Sequence, residues 1–236
     1  MAGVELGWPL LALAACGATL LAYALGRRLY RWRRGSPWWH PAFVAIGLLI
    51  AALLAAGIPY DTYFAGAYPL HALLGPATVA LGVPLFQEAR SIRRIFWPLA
   101  GALLAGAFVA AASALALGWL LGLSEVTLRS IASKSVTTPI AIAITTQLRG
   151  DVALAAGAVL FTGLVGCLLA PLVWRAAGQD GAAAGLALGV GAHGFGTALA
   201  FERDVRAGAL AAVGLSLTGA ATALVLPQVA HLLHWH

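Results

Sequence analysis

The chain has 236 residues, of which 61% are hydrophobic and 9% charged, and its mean hydropathy is +0.91. Soluble domains carry about 25% charged residues, so these charges are too few to cover a globule in water. That excludes a soluble enzyme, a disordered chain and a secreted disulfide scaffold, and leaves an all-α integral membrane protein. The net charge of +6 comes from short basic clusters between apolar runs: Arg27, Arg28, Arg31, Arg33 and Arg34, then Arg90, Arg93 and Arg94. Cytoplasmic loops beside anionic lipid show this pattern. The expected partner is therefore the lipid bilayer, and nucleic acid is not expected.

In chain order, apolar segments are expected at about 8–25, 41–58, 70–87, 97–121, 127–148, 152–174, 183–200 and 207–230. Each approaches the roughly 18–20 residues that cross a hydrocarbon core, which gives about eight transmembrane segments. No connector is long enough to separate two domains, so 1–236 reads as a single transmembrane domain. The first run ends in a basic cluster, the reverse of the charge order of a signal peptide. It reads as a retained helix with its N-terminus outside. Cys16 and Cys167 lie within apolar runs and read as packing residues. Trp8, Trp38, Trp39, Trp97, Trp119, Trp174 and Trp235 fall at segment ends, as interfacial rings do. Tyr60-Asp61-Thr62-Tyr63-Phe64, in the expected connector 59–69, reads first as an aromatic belt and second as a gate. Gly75-Pro76-Ala77-Thr78 and Pro84 read as a kink in segment 70–87, with Thr78 as an alternative pathway residue.

Two segments differ from the other six. Segment 127–148 has Pro139 at its middle and a polar run directly before it. Segment 183–200 contains Gly185, Gly189, Gly191, Gly194 and Gly196 around His193. Broken backbone at membrane depth is tolerated only inside protein or beside a watery cavity. A pair of interrupted segments points to a transporter binding site and suggests an inverted repeat, although no residue-level repeat is visible. Placing the two segments as crossing helices or as hairpins that dip and return puts equal numbers of basic residues in the cytoplasm. Charge counting does not choose between them.

Lys134 is the only lysine in the chain and sits inside an apolar segment. Burying such a group costs about 2.5–3.5 kcal/mol on insertion scales, and buried cations of this kind usually face a cavity. Pro139 fits the first turn of a new helix, with Thr137 or Thr138 as its N-cap. The free N–H groups of that helix start form an anion site, to which Lys134 adds a full charge. Ser133, Ser135 and Thr137 add hydroxyls. The alternative is a Pro-kinked helix whose hydroxyls bond back to carbonyls and whose lysine snorkels to an interface. In the second segment, Gly181, Gly185 and Gly189 read as a packing face. His193 reads either as a satisfied core histidine or as a substrate donor or proton site. Gly194, Gly196 and Thr197 could line the same cavity.

Enzyme chemistry is not expected. His-Glu-x-x-His, Gly-x-Ser-x-Gly, Cys-x-x-Cys and Ser-x-x-Lys are all absent. No acid lies within an apolar run, which argues against a cation or metal site, and no cofactor is expected. Glu125 could hold Arg129 one turn on.

The run Ser133-Lys134-Ser135-Val136-Thr137-Thr138-Pro139-Ile140-Ala141 closely resembles the K-S-V-T-T-P-I-A signature of the LrgB/CidB family. Ala192-His193-Gly194-Phe195-Gly196-Thr197-Ala198 is similar to that family's S-H-x-x-G-T-A. Tyr60 to Phe64 and Leu74 to Leu81 also match its pattern, in the same order, and the resemblance covers about residues 37–230. It implies a multi-pass protein of the bacterial inner membrane that works with a small LrgA/CidA-type membrane protein, and it leaves room for a homodimer. It implies one of two functions. One is transport of small 2-oxo or 2-hydroxy monocarboxylates of the pyruvate, glycolate or glycerate class, with or without a coupled proton. The other is holin/antiholin-like control of murein hydrolases and autolysis. The expected substrate-binding set is Lys134, Ser135, Thr137, Thr138, His193, Gly194, Gly196, Thr197 and Thr78. The chain departs from the family pattern at Ser133, usually Pro, at Ala192, usually Ser, and at Leu199, often basic.

Overall fold

The computed structural model describes residues 2–80, 83, 86, 89–94, 96–178 and 180–232, with side chains from residue 7 onward except those of 78, 89, 91 and 92. Pro84, Glu88, Trp235 and the side chain of Thr78 therefore lie outside the described residues. All regular elements among the described residues are helices, in two compact units, Met1–Ala80 and Leu81–His236.

The first unit holds α1 (Ala2–Trp32), a short turn at Pro37–Trp39, α2 (Pro41–Ala56), α3 (Tyr60–Ala72) and α4 (Leu74–Ala80). Close packing on α1 depends on glycine. A Cβ at Gly26 would lie 2.6 Å from the carbonyl oxygen of Pro41, and one at Gly66 would lie 2.7 Å from that of Leu11. The expected connector 59–69 is in fact most of α3. Pro59 supplies its extended N-cap and Asp61 its first-turn acid, a favourable charge at a helix start. Tyr63 hydrogen-bonds the Thr19 hydroxyl at 2.8 Å, while Tyr60 and Phe64 stack on each other. The expected segment 70–87 is likewise divided. The chain breaks at Leu73, and Pro76 lies in the first turn of α4, where its missing N–H is no loss.

The second unit holds α5 (Ala89–Arg94), α6 (Phe96–Leu120), α7 (Glu125–Ile131), α8 (Thr138–Gln147), α9 (Val152–Ala176), α10 (Gly181–Arg203) and α11 (Val205–Leu232). Five helices among the described residues are long and apolar enough to cross a membrane: Gly7–Trp32, Phe96–Leu120, Val152–Ala176, Gly181–Arg203 and Val205–Leu232. One of these five is folded back on itself. At His193 the backbone takes φ 40°, ψ −129°. Leu188 and Ala200 share one buried cluster, although 12 residues of continuous helix would hold them about 18 Å apart. Both ends of α10 return to Trp174: Gly181 would place a Cβ 3.6 Å from that ring, and the Arg203 guanidinium lies 4.5 Å from its centroid. Limbs 181–192 and 194–203 therefore form a helical hairpin.

The segment containing α7 and α8 does the same. Ser130 Oγ accepts from Asp151 N at 2.7 Å, Ser133 Oγ meets Thr145 Oγ1 at 3.2 Å, and Ala132 packs with Ile144 and Leu148. These pairs place the two limbs antiparallel, with the ends of the hairpin together at the start of α9. At 7 and 10 residues, the limbs rise only about 10 and 15 Å. The first hairpin thus enters beside the start of α9 and the second beside its end. The order of long helix then hairpin, used twice in opposite directions, is the arrangement an inverted repeat would produce. Both segments expected to be discontinuous, 127–148 and 183–200, are broken, and each folds back on itself.

α11 lies along both hairpins. Gly185 and Gly189 meet the carbonyl groups of Ala207 and Ala211 so closely that a Cβ at either would overlap them. Farther along, Leu226 and Ala230 pack on Ala132, Ile144 and Leu148 of the first hairpin. Gly181 is not part of this face, because its neighbour is Trp174.

Candidate functional site

The tip of the first hairpin runs from Ala132 to Thr137. Thr137 is the N-cap of α8, with φ −67° and ψ 150°, and Pro139 occupies the second helical position rather than the first. The Thr137 hydroxyl makes no capping hydrogen bond, so the first N–H groups of α8 are left to another acceptor. Ser133 and Thr145 are fully buried and bonded to each other. Ser133 therefore stitches the hairpin together and is not available to a ligand.

Lys134 is partly buried and lines a cavity of about 370 Å³ that is open on one side. Thr162 and Gly166 of α9 form one part of the wall, and Leu188, Gly191 and Ala192 of the second hairpin form another. The two broken segments thus share a cavity. Lys134 donates to Ser135 Oγ at 3.2 Å. The ion pair found among the described residues is Arg129–Glu125 at 2.9 Å, one helical turn apart as expected. Among the described residues, no carboxylate lies within ion-pair distance of the Lys134 ammonium.

The second tip is built differently. His193 is 2% exposed, and its Nε2 donates to the carbonyl of Val159 at 2.9 Å. Thr197 Oγ1 donates to the His193 carbonyl, also at 2.9 Å. A Cβ at Gly196 would overlap the Leu188 carbonyl. These three expected ligand residues hold the turn in place. At Gly194, by contrast, a Cβ would meet nothing within 4 Å, so the backbone of this tip is open there.

Val159 connects the two tips. Its side chain packs with Val136 and Ala141 of the first hairpin, and its carbonyl receives His193 of the second. Gly163 and Gly166 let α9 approach: a Cβ at Gly163 would overlap the Phe195 ring, and one at Gly166 would overlap Ala192. Sequence reasoning did not single out Val159, Thr162, Gly163 or Gly166. The two glycines three apart in an apolar run were the available signal. Lys134, Ser135, Thr137 and Thr138 stand together at the first tip, and His193, Gly194, Gly196 and Thr197 at the second. Thr78 belongs to α4 of the other unit.

The LrgB-like family model matches residues 19–232. The chain belongs to the LrgB-like family. It is a multi-pass bacterial membrane protein, as its apolar helices and this family indicate. A Haemophilus influenzae protein named only "Uncharacterized protein" is 34% identical over 195 residues, covering 82% of this chain and 84% of its own length. Proteins named "Antiholin-like protein LrgB" from Bacillus mycoides and Bacillus cereus are each 27% identical over 211 residues, covering 89% of this chain and 92% of theirs. No solved structure matches the chain.

Proposed function

We propose that this LrgB-like protein carries small monocarboxylates with an oxygen on carbon 2, the pyruvate, glycolate or glycerate class, across the membrane. One observation carries the reading: the Lys134 ammonium faces a cavity it shares with the second hairpin, with no carboxylate beside it among the described residues. An unpaired cation in a low-dielectric site favours a soluble anion as its partner.

In this reading Lys134 and the first N–H groups of α8 hold the carboxylate. Ser135, Thr137 and Thr138 complete the polar rim, and Gly194 offers backbone at the second tip. His193, Gly196 and Thr197 fix the shape of that tip. The protein moves its substrate without transforming it. Access alternates when one hairpin and its packed helix shift against the other. Uptake of labelled pyruvate and glycolate into proteoliposomes, with and without a pH gradient, tests the reading and its proton coupling. Saturable uptake that is lost in Lys134→Ala and partly kept in Lys134→Arg supports it. Absence of uptake, or uptake indifferent to both substitutions, contradicts it.

A second reading is favoured by the names of the relatives at 27% identity: antiholin-like modulation of murein hydrolases, together with an LrgA-type partner. In that reading the glycine faces serve assembly, and Lys134 is dispensable for control of lysis. Autolysis measured in cells carrying Lys134→Ala separates the two. Full control of lysis by a variant with no uptake favours modulation.

A further inference from the structure

Helical serine and threonine residues in this molecule usually satisfy their hydroxyl within the helix. Thr19, Ser130, Thr146, Thr162 and Thr197 each donate to the carbonyl four residues back, at 2.7–2.9 Å. Thr218 does not. It is 2% exposed, and its Oγ1 has no hydrogen-bond partner among the described residues. Buried polar groups nearly always have a partner, and leaving one without is unfavourable.

The position of Thr218 shows where that partner would come from. Ala207, Ala211, Gly214 and Thr218 follow one another at helical spacing along one stripe of α11. Gly185 packs on Ala207 and Gly189 on Ala211, so limb 181–192 runs alongside this stripe with a constant offset. Gly214 meets Leu186 and Val190 of the same limb. The limb ends at His193, opposite residue 215 by that offset. Thr218 therefore lies about one turn beyond the second tip. On the far side, a Cβ at Gly219 would lie 2.9 Å from Cδ1 of Ile140, in the first turn of α8. The hydroxyl thus stands on α11 between the end of one hairpin limb and the start of the returning helix of the other.

We infer that Thr218 is a specificity residue of the carrier site, whose hydroxyl pairs with the oxygen on carbon 2 of the substrate. The inference rests on the carrier reading above. Lys134 and the start of α8 supply positive charge for the carboxylate. A neutral hydroxyl, able both to donate and to accept, suits a neutral keto or hydroxyl oxygen at the other end of a three-carbon acid. Sites that pair with such an oxygen reject analogues that lack it, because their own group is then left unpaired.

The test compares lactate with propionate, which differ in that oxygen, as competitors of labelled pyruvate uptake into proteoliposomes. Wild type and Thr218→Ser are expected to prefer lactate by about tenfold or more. In Thr218→Val, which keeps the shape and removes the hydroxyl, the preference is expected to fall to about twofold or less. Thr218→Ala repeats the measurement with a smaller side chain. A wild-type preference kept in both Thr218→Val and Thr218→Ala overturns the inference and leaves the carrier reading standing. Absence of pyruvate uptake in wild type overturns both.

Discussion

The two hairpin tips look alike in sequence, each a helix breaker among small and polar residues, and they differ in use. At the first tip the hydroxyl of Thr137 caps nothing, and among the described residues Lys134 hydrogen-bonds its neighbour Ser135. At the second tip His193 and Thr197 are both bonded inside the protein. One tip leaves Lys134 facing a cavity, and the other uses its polar groups to hold a reversal of the chain. A polar residue in a membrane segment thus has two quite different readings, and the location of its hydrogen bonds decides between them.

The largest effect that would break this comparison is expected at the packing that holds the second hairpin. Gly189→Leu would drive a side chain into the Ala211 carbonyl, which side-chain rotation does not relieve. Loss of monodisperse protein in size-exclusion chromatography is expected, whereas Gly194→Ala, with open space around it, keeps the wild-type profile. Next comes Lys134→Met. Losing a charge-assisted contact of about 1.5–3 kcal/mol weakens carboxylate binding by roughly tenfold to a hundredfold, with little change in thermal stability. Calorimetry and a melting curve on the same sample check both halves. His193→Phe inverts that pattern. It removes the hydrogen bond from His193 to the Val159 carbonyl, at a cost of about 0.5–1.5 kcal/mol in stability, and the melting temperature falls more than affinity does. Thr137→Ala is the smallest: an N-cap substitution commonly costs about 1 kcal/mol, but this hydroxyl makes no cap bond, so under about 0.5 kcal/mol is expected in a denaturation series.

Much of the first tip was legible in the sequence. A lone lysine in an apolar run, followed by threonines and a proline, specifies a helix start with a cation beside it through local chemistry alone. The break at His193 was legible for the same reason, as a cluster of glycines. Re-entry was not legible. Arg149 and Arg175 exchange sides between the crossing and re-entrant arrangements, so the number of cytoplasmic basic residues is the same for both. The sequence left two readings of His193 open because its partner is a backbone carbonyl, which every residue has and no sequence pattern marks. Thr218 was hidden for a related reason. A threonine in an apolar helix ordinarily bonds back to its own backbone, and only the fold shows that this one does not. Segment 59–69 was misread as a connector because Asp61 and Thr62 look like loop residues, yet a first-turn acid also suits a helix start.

The central claim is that the position of Lys134 is reached by water inside the membrane. In a background with Cys16 and Cys167 replaced, Lys134→Cys can be treated with a membrane-impermeant, negatively charged thiol reagent, applied to each face of sealed vesicles in turn. The account predicts labelling from at least one face, slowed by pyruvate. Absence of labelling from both faces, with a cysteine at the exposed turn residue Arg34 labelled normally, would contradict it.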